Sequence, residues 1–253
     1  MSRICLGAVS YLNARPLMHT LPRLLPEAEI VVDFPSRLAD GLAAGRFDVA
    51  LIPSIEYLRQ PGLRIASDAV IACDGPVRSV KLYGRVPIER VKTLALDEGS
   101  RTSAALAQIL LRERFGLEPS LLPLPLDRMP IDSPADAVVV IGDRGMLEPD
   151  EDLAFVWDLG EEWSRWTGLP FVFALWAARP HVQAERIDRA LASARDEGLA
   201  RLPEIARLAS SEVGIPELEC LCYLRDNLEF HLGPRQQEGL GRFYQLAKHH
   251  GLA

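Results

Sequence analysis

No apolar stretch in this sequence approaches the roughly twenty residues that a bilayer-spanning helix needs, so no membrane segment is expected. Basic residues are also in deficit. Lys plus Arg number 28 against 35 Asp plus Glu, a net charge of −7, with no basic run. Such a chain is a poor match for nucleic acid or an anionic membrane surface. An anionic ligand would have to be held by local donors against the global sign. Cysteine is scarce: Cys5, Cys73, Cys220 and Cys222 form no CxxC pair, and no Cys/His spacing suits zinc. Cys5 and Cys73 lie in apolar runs and are expected as buried thiols, which fits a reducing cytoplasm. The histidines, His19, His181, His231, His249 and His250, show no ligand spacing, and the last two read as a fraying helix end. The N-terminal segment lacks the basic stretch, sustained apolar core and small-residue cleavage site of a leader, and none is expected.

Nucleotide and hydrolase signatures are missing as well. There is no GxGxxG after a strand, no GxxxxGKS/T, no GxSxG and no HExxH. Nicotinamide, nucleotide-phosphate, serine-hydrolase and zinc-protease readings therefore lose their usual support.

What is present is a composition ordinary for a globular enzyme, 48% hydrophobic and 25% charged over 253 residues. That is enough for one large domain or two small ones. The most informative stretch is Thr93–Leu111, an apolar run, a turn with Asp97, Gly99 and Ser100, then a helical pattern. The first N–H groups of a helix lack intrahelical partners, and the dipole there is positive. Ser100, Arg101, Thr102 and Ser103 at that end make a candidate carboxylate or phosphate site. The competing reading is that Ser100 or Thr102 simply caps the helix.

Before this unit the chain reads as βαβαβ. Strands are expected at Arg3–Val9, Ala28–Phe34 and Asp48–Pro53, with helices at Arg15–Leu21 and Arg37–Ala44. That order argues for a parallel sheet with helical crossovers. Ser10, Tyr11 and Asn13 follow the first strand, where α/β sheets commonly face a ligand, although turn roles compete. Ser54, read as an N-cap, and Glu56 follow the third. Val70–Cys73 and Val77–Tyr83 are two further strands, the second carrying Arg78 and Ser79. Gly84 and Pro87 mark an expected crossing into a second lobe, and Arg179–Pro180 the return. Ala137–Ile141 and Phe171–Ala178 read as buried strands, the first ending at Gly142 and Asp143. From residue 179 to the end the pattern reads as helical throughout. The expected architecture is thus α/β with two lobes, 1–88 plus 179–253 and 89–178, and a ligand cleft between them.

Six segments taken together resemble a known family: SYLNARPL, GRFDVALIPSIEY, RSVKLY, LDEGSRTSAALAQILL, IGDRG and WSRWTGLPFVFALWA, lying in this order between Ser10 and Ala177. The family is that of the chorismate dehydratases of the futalosine route to menaquinone. The resemblance implies a type II periplasmic-binding-protein-like fold, each lobe a mixed, mostly parallel sheet flanked by helices, with a helical C-terminal segment. It implies a cofactor-independent cytoplasmic lyase that removes water from chorismate to give 3-[(1-carboxyvinyl)oxy]benzoate. The implied partner is thus a small dicarboxylate. The sister enzyme, 1,4-dihydroxy-6-naphthoate synthase, shares the fold but carries a Cys-Pro-Asn-Asp motif and a catalytic histidine where this chain has SYLN and none. A solute-binding protein that holds an anion without chemistry is the other alternative.

On that footing the Ser100–Ser103 helix end would hold one carboxylate. Arg78 or Ser79 and the Ser10–Asn13 loop would orient the rest. Asp143 and Glu56 are candidate bases. The substrate's own enolpyruvyl carboxylate, held by Asn13 and Ser79, is a third candidate.

Overall fold

In the computed structural model, which describes residues 4–147, 152–182 and 184–253, the chain builds two mixed sheets. The first runs in the order β11-β4-β10-β3-β1-β2 and the second β7-β6-β8-β5-β9. In chain order the strands are β1 Cys5–Val9, β2 Glu29–Asp33, β3 Val49–Pro53, β4 Arg64–Cys73, β5 Val80–Gly84, β6 Thr93–Asp97, β7 Ser120–Leu124, β8 Ala137–Ile141, β9 Phe155–Asp158, β10 Phe171–Ala178 and β11 Glu229–His231. The helices are α1 Arg15–Met18, α2 Leu21–Leu24, α3 Pro35–Ala43, α4 Ser54–Arg59, α5 Arg101–Phe115, α6 Asp143–Met146, α7 Leu159–Thr167, α8 Ala184–Leu199, α9 Leu202–Val213, α10 Glu217–Cys222 and α11 Pro234–His249.

Strand position follows from composition. VALIP, AVVVI and FVFALWAA are apolar throughout, and every residue of β3, β8 and β10 is buried. Strands covered on both faces read as continuous apolar runs. The edge strand β7 contains Pro123, which has no N–H to give to a ladder. As the βαβαβ pattern predicts, β1 pairs in parallel with β2 and β3. The antiparallel β10 then inserts between β3 and β4.

Two expectations need correction. The sheets do not divide at residues 88/89 and 178/179. β5 pairs with β8 and β9 in the second sheet, and β10 lies in the first. The punctuation at Gly84–Pro87 and Arg179–Pro180 serves turns inside each lobe: Arg85 N–H bonds Asp136 O, and Arg179 N–H bonds Asp48 O. The crossings fall earlier, at Asp74–Ser79 and Gly168–Pro170, where Gly75 and Gly168 take positive φ. Accordingly Val77–Ser79 is not strand.

The tail is also not helical throughout. After α10 the chain makes a π-turn at Tyr223–Asn227, and β11 then pairs antiparallel with β4. Leu228 and Phe230 are buried there, which a solvent-facing helical turn would not achieve. Among the described residues no helix is long and apolar enough to cross a membrane. None of the four cysteines forms a disulfide; Cys73 and Cys220 are buried and Cys5 and Cys222 half-buried.

Candidate functional site

The carboxyl ends of β1, β3 and β8 and the first turn of α5 converge on a cavity with about 460 Å³ of empty space, part of it open to solvent. Its walls are mostly apolar, including Val9, Ile71, Val77, Ile141 and Phe173. Polar groups reach it from Tyr11, Asn13, Ser79, Ser100 and Ser103. Among the described lining residues there is no Asp, Glu, Lys, Arg or His.

Ser79 is aimed by strain and by hydrogen bonds. Arg78 is the one non-glycine with positive φ (62°) among the described residues, a region that disfavours a β-carbon. The N–H groups of Val77 and Arg78 donate to the Asp158 carboxylate at 2.9 and 2.5 Å. That carboxylate also caps α7 through Gly160 N–H and Glu161 N–H. The corner fixed in this way leaves Ser79 facing the cavity with 1% of its surface exposed. The Arg78 guanidinium points outward, 3.7 Å from Glu219.

Tyr223, from the π-turn, donates its hydroxyl to Ser79 Oγ at 2.7 Å. Its phenol is held far above the usual tyrosine range, first by burial; its side-chain hydrogen bonds with Ser79 and Asn13 oppose the shift. It is therefore a neutral donor at any working pH. Because it donates to Ser79, the serine's own proton is free to point into the cavity. Asn13 Oδ1 is buried without a partner, and such groups are rare unless a ligand or water serves them. Sequence reasoning passed over Tyr223 because the tail carries no polar motif.

Tyr11 lies across two glycines. A β-carbon at Gly142 would sit 2.6 Å from the Tyr11 ring, and one at Gly99 3.0 Å from its hydroxyl. Burial, then Asp97, push the Tyr11 hydroxyl well above its usual range. Asp97 is buried, accepting from Gly99 N–H at 2.8 Å and Arg144 Nη2 at 2.5 Å; desolvation raises its pKa, and these partners oppose the rise.

At the head of α5, Ser100 is the N-cap, accepting from Ser103 N–H at 3.3 Å, with the two hydroxyls 3.1 Å apart. Both face the cavity. Thr102 does not. Its Oγ1 accepts from Ile55 N–H at 3.2 Å and lies 3.4 Å from Ser54 Oγ, which donates to Val172 O at 2.7 Å. The expected N-cap role of Ser54 thus belongs to Thr102, reaching α4 from the other lobe. Thr102→Val is expected to lower the unfolding free energy by about 1–3 kcal/mol, since it strips a buried N–H of its acceptor. Urea denaturation followed by circular dichroism measures this; an unchanged midpoint would rule out the cap.

The remaining candidates lie elsewhere. Arg101 pairs with Asp40 at 2.8 Å and Glu56 at 3.3 Å, and Glu56 also pairs with Arg59 at 2.7 Å. This ion-pair network bridges the lobes outside the cavity. Ser10 faces a separate groove beside Arg15 and His19. Gly142 lines the cavity. The neighbouring Asp143 accepts from Leu12 N–H at 3.0 Å, joining the lobes. Burial raises its pKa, and the Leu12 bond and Arg15 oppose the rise.

A family model described as menaquinone biosynthesis matches residues 4–249. The chorismate dehydratase of Thermus thermophilus is 32% identical over 261 aligned residues, covering 94% of this chain and 93% of that protein. The chorismate dehydratase of Campylobacter jejuni is 26% identical, covering 98% and 99%. Among solved structures, an Archaeoglobus fulgidus protein superposes with a TM-score of 0.82 at 18% identity, covering 99% of this chain and 98% of that one. The periplasmic aliphatic sulphonate binding protein SsuA of Escherichia coli gives 0.60 at 13% identity, covering 100% and 89%. At these identities the structural likenesses establish the fold, which is periplasmic-binding-protein-like.

Proposed function

Because the chain belongs to this menaquinone-biosynthesis family, we propose that it dehydrates chorismate to 3-[(1-carboxyvinyl)oxy]benzoate, as a carbon–oxygen lyase of the cytoplasm. The observation that carries the reading is a cavity whose polar groups are hydroxyls and a carboxamide, with no carboxylate, histidine or lysine on its described lining. Loss of the ring hydrogen beside the ether oxygen and of the neighbouring hydroxyl leaves an aromatic ring. The driving force is therefore intrinsic, and orientation is the main thing the protein must provide.

One carboxylate of the substrate sits at the head of α5, on the Ser100 and Ser103 hydroxyls and the positive end of the helix. The enolpyruvyl carboxylate is held by Ser79 O–H and the Asn13 carboxamide. Asn13 Oδ1 accepts from the ring hydroxyl. The carboxylate so held stands in for the missing protein base: it removes the ring proton and passes it to the departing hydroxyl, which leaves as water, so the carboxylate is regenerated. Supporting this, Glu56 is engaged by two arginines outside the cavity, and Asp143 is engaged by Leu12 N–H.

Mixing the purified chain with chorismate and following ultraviolet absorbance tests the activity. An aromatic product is expected; no spectral change would favour an anion-binding protein without chemistry, the reading its sulphonate-binding fold relatives support. In the same assay Glu56→Gln and Asp143→Asn are each expected to keep turnover within about tenfold of the parent. A loss of about 10²–10⁴-fold, typical of a missing acid–base group, would make that carboxyl the base and remove the substrate-assisted route.

A further inference from the structure

At the end of α5 remote from the cavity, three groups that the sequence separates widely come together. Glu113 lies in the last turn of α5, and His249 and His250 lie at the end of α11. Their candidate ligand atoms all fall within 4.8 Å of one another. His250 Nε2 is 2.6 Å from Glu113 Oε1, a contact across 137 residues. The two imidazoles stand edge to face, 4.9 Å between centroids. We propose that Glu113, His249 and His250 form a surface site for a divalent transition metal of the zinc type.

The helix end that carries the histidines is held rather than fraying. Gly251 takes positive φ (65°), and Leu252 N–H returns to Ala247 O at 2.8 Å. This is the left-handed glycine cap that closes helices and satisfies their last carbonyls. Arg112 Nη1 donates to His250 O at 3.0 Å, and Arg59 Nε to Leu252 O at 3.1 Å. These anchors use carbonyl oxygens and leave both imidazoles free to ligate.

Two imidazoles and one carboxylate form the donor set that suits zinc, nickel or copper and disfavours magnesium and calcium, which take oxygen cages. Zinc takes nitrogen and oxygen ligands at about 2.0–2.2 Å, so donors around a tetrahedral ion stand about 3.4 Å apart. The present spread brackets that spacing, and side-chain rotation closes it. Water completes the shell, as expected for an exposed site of three protein ligands. Binding replaces the direct contact between His250 Nε2 and Glu113 Oε1 with two bonds to the ion. The ion would clip the far end of the helix whose first turn lines the cavity to the C-terminal helix. Sequence spacing hides the site because Glu113 belongs to another helix.

The inference is independent of the reaction, and its test reads no turnover. Chelator-treated, dialysed full-length protein is titrated with zinc chloride by calorimetry in a non-chelating buffer. One ion per chain is expected, with a dissociation constant in the micromolar range. Glu113→Gln, His249→Ala and His250→Ala should each weaken binding at least tenfold. Excess zinc should raise the Tm of the parent by roughly 5 °C or more and leave that of His250→Ala unmoved, because only a ligand of the native state stabilises it. The thiols and His19, His181 and His231 remain in every variant. Binding that survives Glu113→Gln and His250→Ala unchanged would therefore assign the ion to them and overturn the proposal. Absence of saturable binding would overturn it equally.

Discussion

Ser79→Ala is expected to lower kcat for chorismate by about 10²–10³-fold, the cost typical of removing one preorganised donor from a developing negative charge. KM should change far less, because the apolar walls and the head of α5 remain. Tyr223→Phe should cost about five- to tenfold, since one net hydrogen bond is worth about 1 kcal/mol. The double variant should lose less than the product of the two single losses, because Tyr223 donates to Ser79 Oγ, 2.7 Å away, and so acts in large part through it. Steady-state absorbance assays on the three variants form the cycle. Phenylalanine fills the same space, so a purely structural role would move Tm and leave the coupling at zero. Additive losses would sever the link between the tail tyrosine and the serine. A Ser79→Ala enzyme within threefold of the parent would remove Ser79 from the reaction.

The second large effect is expected at Gly142. Its backbone sits at φ 66°, ψ −153°, a region open essentially to glycine alone. Occupying it with another residue costs of order 1–3 kcal/mol. In addition, the new methyl would lie 2.6 Å from Tyr11 Cε1. Relief requires the ring to swing toward the cavity or the loop after β1 to retreat from α6. Gly142→Ala should therefore lose about 2–4 kcal/mol of stability, with strain and overpacking acting together. Because Tyr11 and Asn13 share that loop, turnover should fall by at least 10²-fold even well below the lowered Tm, as small misplacements in a site cost that much. Calorimetry and assays at low temperature separate the two effects. Parent-like stability would mean that the loop yields freely and that Tyr11 is not wedged between the lobes.

The two-lobed α/β plan was legible because its signals are local. Apolar runs such as AVVVI and FVFALWAA mark strands that only a covered sheet tolerates. The lobe boundaries were misread because Gly84, Pro87 and Pro180 are as strongly turn-forming as Gly75 and Pro76. Punctuation reports a bend and says nothing about which sheet the next strand joins. Within the site, Asn13, Ser100 and Ser103 were visible as polar residues at strand and helix ends, and Ser79 as a polar residue in an expected strand that in fact begins one residue after it. Thr102 has the same signature but turns toward α4, one residue's rotation around the helix away from its neighbours. Arg101 and Glu56 looked like ligand groups because charge is conspicuous, yet each finds its counter-ion in the opposite lobe. Tyr223 was invisible because its role depends on a π-turn that carries it across to a serine 144 residues earlier.

β4 meets its sheet neighbours only late in the chain: β10, nearly a hundred residues on, and β11, later still. A ribosome therefore finishes every strand of the second sheet before the first can acquire its last two, β10 and β11. Until then β3 and β4 carry bare edges rich in valine and isoleucine. Such long-range pairing slows folding and leaves those edges open to aggregation. Nascent chains stalled before residue 171 should accordingly be clients for holdase chaperones, whereas release of the last eighty residues lets the sheet zip shut around β10.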